Sequence, residues 1–157
     1  MRKKSHSIAV IGVGNELFKD EGFGIYVSKQ LAHTPPMGVA VLEGGTSGIS
    51  LLPLFFEYEN IIFLDIIKVD DTPGSIYVFD LNNVNIKNDV VNSFHDIGVS
   101  DVYNTAKMLG SKASVYVVGI VPYDYQNVGC VTELLLKKVP LFINEINKLL
   151  VKIMQET

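Results

Sequence analysis

Short apolar runs alternate with amphipathic segments along this chain, and each run is bounded by glycine, proline or polar residues. Runs of branched and small apolar residues without charge are typical of strands buried on both faces of a sheet. The predicted strands span residues 8–11, 39–42, 61–64, 75–79 and 114–120. Because strands and helices alternate, the pattern predicts an α/β fold.

Apolar residues at helical spacing predict that the intervening segments are helices. Phe23, Val27 and Leu31, for example, fall on one face of the first helix. Pro53 indicates that the second helix starts late or bends, and Pro140 indicates a kink or a break in the last one. The predicted helices span residues 21–33, 49–56, 98–109 and 131–154.

The link between the third and fourth predicted strands, residues 68–74, is short and contains the turn Asp70-Asp71-Thr72-Pro73-Gly74. A parallel crossover needs about a dozen residues or more. We therefore expect the fourth strand to run antiparallel to the third or to lie at an edge. The predicted architecture is a three-layer α/β/α sandwich around a mostly parallel sheet.

Composition narrows the class of protein. The 157 residues are expected to form a single domain, 1–157, because domains typically hold ~100–200 residues. Hydrophobic residues make up 48% of the chain, enough for a core, and the formal net charge of −4 argues against nucleic-acid binding.

The single cysteine, Cys130, excludes an internal disulfide and a cysteine cage for zinc. No apolar run approaches the ~18 residues that span a bilayer. A chain with one cysteine suits a reducing compartment, so the expected location is the cytoplasm.

The stretch from Ile8 to Gly24 carries the most specific signal. The first strand opens into Gly12-Val13-Gly14-Asn15, and a loop at the carboxyl end of a buried strand is a common ligand site. A dinucleotide loop of the form G-x-G-x-x-G would need glycine at position 17, where this chain has Leu17. The loop then reaches Asp20-Glu21, whose charges would repel a pyrophosphate. The pattern therefore favours a metal site over a nucleotide site.

Three candidate metal ligands fall near the carboxyl edge of the predicted sheet. Glu21 follows the first strand, Asp65 ends the third, and His95 precedes the predicted helix 98–109. Asp65 interrupts an apolar run, where a charge is costly unless it is paired or ligated. Two carboxylates and one imidazole suit a borderline divalent metal.

Each candidate also has an explanation without a metal. Glu21 at a helix start complements the helix dipole equally well, and Asp20 is the better candidate for the helix cap. A lone histidine such as His95 is more often a surface or cap residue than a ligand. His6 and His33 are interpreted as structural or incidental.

The segment Glu43-Gly44-Gly45-Thr46-Ser47-Gly48 follows the second strand and is either a tight turn or a place where backbone approaches a peptide. No serine lies in a Gly-x-Ser-x-Gly elbow, which argues against a serine hydrolase. Cys130 is interpreted as a buried apolar residue or a residue at a helix start rather than as a nucleophile.

Taken in order and spacing, these motifs resemble those of the hydrogenase maturation endopeptidases, nickel-dependent peptidases that process the large subunit of nickel–iron hydrogenases. The resemblance implies a mixed, five-stranded sheet with an antiparallel fourth strand, a phosphorylase/hydrolase-like architecture. The likeness is carried by residues 12–24, 43–48, Asp65, 73–74, 95–98 and 117–122.

The resemblance also implies that Glu21, Asp65 and His95 are the catalytic residues and coordinate Ni²⁺, which arrives with the substrate. The implied partner is the hydrogenase large subunit precursor, which loses a short C-terminal extension, and the family is classified as aspartic-type endopeptidases. Glu43 stands where the family often carries aspartate, so the role of this acid stays open.

Two other functions stay open at this point. A chaperone that checks the large subunit for its metal without cutting it would use the same three ligands. A nucleotide-binding α/β enzyme is disfavoured by Leu17 and the acidic loop. Neither a membrane nor a nucleic acid is an expected partner, and a monomer is the expected oligomeric state.

Overall fold

A computed structural model describes residues 7–46, 48–83 and 98–156 of the chain. Within these residues, strands and helices alternate as the apolar runs predict. The strands are β1 (Ile8–Gly12), β2 (Val39–Glu43), β3 (Asn60–Ile66), β4 (Ile76–Asp80) and β5 (Ser114–Ile120). The α-helices are α1 (Phe23–His33), α2 (Leu54–Glu57), α3 (Ser100–Met108), α4 (Glu133–Leu136) and α5 (Val139–Gln155), and 3₁₀ turns cover Lys19–Gly22 and Ile49–Leu51.

The five described strands form one mixed sheet in the order β2-β1-β3-β5-β4. Strands β2, β1, β3 and β5 are parallel, and β4 pairs antiparallel with β5 at the edge. The short link before β4 predicts an antiparallel strand or an edge strand, and β4 is both. The reason is geometric, because the segment 68–74 is long enough to turn the chain back but too short to cross the sheet.

The core consists of two apolar layers, one on each face of the sheet. Side chains of β1 and β3 alternate between the layers, so that Val10 and Ile62 face one layer while Ile11 and Phe63 face the other. Helices α1 and α5 cover the first face, and Phe23 meets Phe142 edge to face at 5.0 Å between ring centroids. Helices α2 and α3 cover the second face. The predicted three-layer α/β/α sandwich is confirmed.

Both prolines act as the sequence predicts. Helix α2 begins directly after Pro53, and the predicted helix 131–154 is divided into α4 and α5, with Pro140 in the first turn of α5. Proline fits that turn because the amide groups there have no partner within the helix. No helix in the described part of the chain is long and apolar enough to cross a membrane.

Candidate functional site

Glu21 and Asp65 line one cavity of about 150 Å³ at the carboxyl edge of the sheet. Glu21 lies in the 3₁₀ turn that follows β1, and Asp65 is the penultimate residue of β3. Because β1 and β3 are parallel neighbours, their carboxyl ends are side by side. The remaining residues that line this cavity are Gly14, Thr46, Ile66, Lys68 and Gly98.

Two glycines allow the backbone to approach this edge closely. Gly14 has a φ of +146°, and a Cβ there would lie 1.8 Å from the carbonyl oxygen of Glu21. A Cβ on Gly24, in the first turn of α1, would lie 2.2 Å from the carbonyl oxygen of Leu64. Helix α1 and the loop before it are thus pressed against the ends of β1 and β3, which brings Glu21 to the same cavity as Asp65.

Asp65 is a buried carboxyl, with 6% of the residue exposed. Its burial raises the pKa to about 7, and the negative charge of Glu21 adds to the rise. Hydrogen bonds from the backbone N–H groups of Ile66 and Gly98 oppose this pKa rise, and the Ile66 bond to Oδ1 measures 2.8 Å. The charged form of Asp65 is therefore costly in the protein alone, and a cation close to it would favour that form.

Lys68 is a residue of this cavity that the sequence analysis missed. Its Nζ lies 2.6 Å from Oε1 of Glu21 and 4.9 Å from the centroid of the Tyr125 ring. The sequence offered one signal for Lys68: it follows β3 by two residues, at the strand end that carries Asp65. Glu21 is therefore bound to an ammonium group, and it also lies in the first turn of the 3₁₀ segment, where the dipole interpretation places it.

Asp20 does not cap a helix, so the prediction for this residue is wrong. Neither the 3₁₀ turn nor α1 has a side-chain cap, and Asp20 is fully buried. Its carboxylate accepts hydrogen bonds of 2.8–3.0 Å from the backbone N–H groups of Tyr123, Asp124 and Thr132 and from the Thr132 hydroxyl. Asp20 fastens the loop that carries Glu21 to the segment after β5.

The glycines after β2 pair with the first loop rather than forming an isolated turn. The N–H of Gly14 donates to the carbonyl of Gly45 at 2.8 Å, and the N–H of Gly44 donates to Gly12 at 2.7 Å. Thr46 follows directly and lines the cavity. Glu43 lies outside the lining, with Oε1 3.9 Å from Nζ of Lys29 on α1.

The remaining predictions for single residues divide into three groups. Cys130 is exposed, so its interpretation as a buried residue is wrong; it lies three residues before α4. His33 ends α1 on the surface. His95 and His6 lie outside the described residues, and the role of His95 as a ligand stays a prediction. Across residues 7–46, 48–83 and 98–156, no three histidine, cysteine, aspartate or glutamate side chains converge as a metal site.

The size of the cavity limits what it can hold. A volume of about 150 Å³ corresponds to roughly five water molecules at ~30 Å³ each. Pockets for drug-sized ligands and cofactors measure ~300–1,000 Å³. The cavity therefore has room for a hydrated cation or a single peptide group.

The sequence comparisons with known proteins agree on one family. A family model described as hydrogenase maturation protease matches residues 25–149. The hydrogenase expression/formation protein HupD of Rhodobacter capsulatus is 33% identical over 137 residues, which cover 80% of this chain and 62% of that protein. The hydrogenase 2 maturation protease of Escherichia coli K12 is 29% identical over 119 residues, which cover 73% of each chain. The chain thus spans less than two thirds of the length of the HupD relative.

A solved structure agrees with these matches. The hydrogenase maturating endopeptidase HybD from E. coli superposes with a TM-score of 0.77 at 25% sequence identity, and the match covers 92% of each chain. The similarity in fold therefore extends beyond the residues that the family model matches. Since that model covers most of the sequence and a relative shares a third of the aligned residues, the chain belongs to the hydrogenase maturation protease family.

Proposed function

We propose that this protein is a hydrogenase maturation endopeptidase that hydrolyses one peptide bond in the precursor of a nickel–iron hydrogenase large subunit and so removes its C-terminal extension. Family membership supports the class of reaction. The observation that carries the proposal is that Glu21 and Asp65 line one small cavity at the carboxyl edge of the sheet. A cytoplasmic location, where the precursor is matured, is part of the same proposal.

Nickel belongs to the substrate in this proposal, because the precursor carries it to the site. The donor set fits such an ion: Glu21 and Asp65 offer carboxylate oxygens, and His95 is proposed as the third ligand from its place in the sequence. Among the described residues that line the cavity, two carboxylates face one ammonium, that of Lys68, so the negative charge that remains favours a divalent cation. Burial of Asp65 strengthens this attraction, since water screens it less there.

The residues of the chain position the reacting peptide. Hydrolysis of an amide needs an activated water and positive charge near the carbonyl oxygen, where negative charge develops. When bound, nickel supplies Lewis acidity and lowers the pKa of a coordinated water. Glu21 and Asp65 hold the metal-bearing segment from two adjacent strand ends, while Thr46 and Gly14 bound the cavity beside them. A precursor without nickel lacks the cation that these carboxylates bind, so the site discriminates against it.

Asp65→Asn tests this proposal because it keeps the size of the side chain and removes its charge. We expect conversion of nickel-loaded precursor to mature subunit to fall by about 100-fold or more, since losing even an outer partner of a metal ligand costs roughly 10–100-fold. His95→Ala is expected to behave likewise. Conversion is followed by gel and by mass spectrometry of the precursor, with a melting curve for each variant.

Glu43→Gln is the matched control, because it neutralises an acid near the same sheet edge that lies outside the cavity lining. We expect a much milder effect on conversion. Conversion at the wild-type rate by folded Asp65→Asn would contradict the proposed role of this residue. If the wild-type protein binds nickel-loaded precursor without changing its mass, the protein is instead a non-catalytic chaperone that checks the metal.

A further inference from the structure

Lys68 is held between two parts of the site that are distant in sequence. Its ammonium contacts Glu21 after β1 and lies over the ring of Tyr125 after β5. We propose that Lys68 is a built-in counter-ion: it occupies the cation position beside Glu21 in the substrate-free protein and gives way to the divalent cation that a substrate carries. This inference rests on the proposed function, because it takes Glu21 as a ligand of that cation.

The contact with Glu21 differs from the other ion pairs of the described residues. At 2.6 Å it is the shortest of them; the others measure 3.0–3.9 Å. The side chain of Glu21 is 22% exposed, and both partners line the cavity that contains Asp65. The charge of a shielded carboxylate is screened less by water and salt than the charge of one on the open surface. Lys68 therefore neutralises a glutamate that is largely shielded, while its own side chain reaches solvent.

Tyr125 holds the ammonium from the other side. A lysine ammonium over an aromatic face at 4.9 Å is within the range of a cation–π contact. Tyr125 lies in the segment that Asp20 fastens through the backbone N–H groups of Tyr123, Asp124 and Thr132. The same buried carboxylate is adjacent to Glu21 in the chain. Both groups that contact Lys68 are thus held by one anchor, so the position of the ammonium is built into the fold.

An ammonium in this position opposes the binding of a free metal ion. A divalent cation at either oxygen of Glu21 would lie within a few ångströms of Nζ, and like charges at that separation repel each other. A cation held by a substrate arrives with its own ligands and with further contacts from the peptide, which favour displacement of the ammonium. Lys68 is 44% exposed and has open solvent into which to move. Lys68 would therefore exclude free metal ions and admit a metal presented by a substrate.

The test is the affinity of the isolated protein for nickel chloride, measured by isothermal titration calorimetry. We expect Lys68→Met to lower the Kd for Ni²⁺ by about two- to fivefold, the fold-change that corresponds to one ion pair with a solvent-exposed partner. Lys68→Arg keeps the positive charge and should bind no more tightly than wild type. Lys148→Met is the matched control, because it removes the same charge from the Lys148–Glu145 pair on α5. Its Kd should equal that of wild type.

A double-mutant cycle separates a direct effect on Glu21 from a general change in charge. If the ammonium acts mainly through its pair with Glu21, Lys68→Met should tighten binding more in the wild-type background than in the Glu21→Gln background. Equal tightening in both backgrounds would overturn the proposal. So would an unchanged or raised Kd for Lys68→Met, or an absence of measurable nickel binding in that variant. Lys68→Gln replaces Lys68→Met if the latter does not fold, and the same outcomes apply to it.

These measurements do not depend on precursor cleavage. Loss of processing in Asp65→Asn together with unchanged nickel binding in Lys68→Met would leave the proposed endopeptidase intact and remove only the counter-ion role. Tighter nickel binding by Lys68→Met together with normal processing by Asp65→Asn would support the counter-ion role and contradict the proposed role of Asp65 in cleavage. Failure of the counter-ion role can therefore be distinguished from failure of the proposed function.

Discussion

The chemistry of the cavity depends on three residues whose charges are coupled. Asp65 is buried, and its pKa is raised to about 7 by burial first and by the charge of Glu21 second. Glu21 is paired with Lys68 at 2.6 Å. A buried carboxyl without a strong cationic partner destabilises the folded state in its charged form. Asp65, on which the proposed function depends most, therefore lowers the stability of the folded protein when it is charged.

Asp65→Asn is expected to raise the stability of the isolated protein at pH 8 by about 1–3 kcal/mol, because each unit of pKa shift represents ~1.4 kcal/mol and part of the gain is lost in repacking. The sign follows from linkage. The folded-state pKa of Asp65 lies above its ordinary value of 3.8, so folding is penalised increasingly as pH rises from about 4 to about 7. Urea denaturation at several pH values measures the difference between variant and wild type.

The pH dependence of the stability gain distinguishes the loss of the Asp65 charge from other effects of the substitution. The advantage of Asp65→Asn should be small near pH 4, grow to pH 7 and stay constant above it. An advantage that is the same at pH 4 and pH 8 would show that the carboxylate charge is not its source.

At the scale of elements, the site depends on two loops that pair with each other. The loop after β1 and the segment after β5 exchange backbone hydrogen bonds, from Lys19 to the carbonyl of Gly129 and from Gly129 to the carbonyl of Leu17. Asp20 adds its carboxylate to this pairing. Since Glu21 lies in one loop and Tyr125 in the other, the pairing sets the distance between the groups that contact Lys68.

Asp20→Ala is expected to destabilise the protein by at least about 3 kcal/mol, since it leaves three backbone N–H groups around a buried site without their acceptor and each costs ~1–3 kcal/mol. Chemical denaturation measures the loss. Asp101→Ala removes an exposed aspartate from the first turn of α3 and serves as control, with an expected loss below about 1 kcal/mol. A loss for Asp20→Ala no larger than that of the control would rule out Asp20 as the anchor of the two loops.

At the scale of the whole molecule, the parallel sheet is what assembles the site. Strands β1 and β3 are neighbours although helix α1, strand β2 and helix α2 separate them in sequence. The crossovers place both carboxyl ends at one edge, and the two apolar layers hold that edge in place from either side. An open edge of this kind is the usual position of a ligand site in α/β proteins. The molecule thus presents its carboxylates at one small cavity rather than inside a closed metal cage.

An open site with oxygen and nitrogen ligands and no thiolate should hold nickel weakly. We therefore expect the purified protein to carry well below one nickel per chain after dialysis against a mild chelator. Inductively coupled plasma mass spectrometry gives the metal content, and a parallel sample of nickel-loaded precursor shows that the chelator leaves substrate nickel in place. Stoichiometric nickel that survives dialysis in the protein alone would contradict the proposal that the substrate brings the metal.

The sequence alone determined the fold class, the reversed direction of an edge strand and the position of two carboxylates. Apolar runs set the buried strands, and the short segment 68–74 set the direction of β4, because burial and chain length are local properties. Glu21 and Asp65 could be placed at one edge because parallel strands share their carboxyl ends. The prolines likewise marked helix starts through a property of single residues.

Only the tertiary structure decided which charges meet. Asp20 precedes a helix and satisfies the sequence pattern of a cap, yet its carboxylate binds the segment 123–132, more than a hundred residues away. Lys68 carries no motif, and its role emerges only when β1, β3 and the segment after β5 come together. Cys130 has an apolar neighbour in sequence and is nevertheless exposed. Side-chain pairing across loops depends on three-dimensional distance, which local patterns of polarity do not encode.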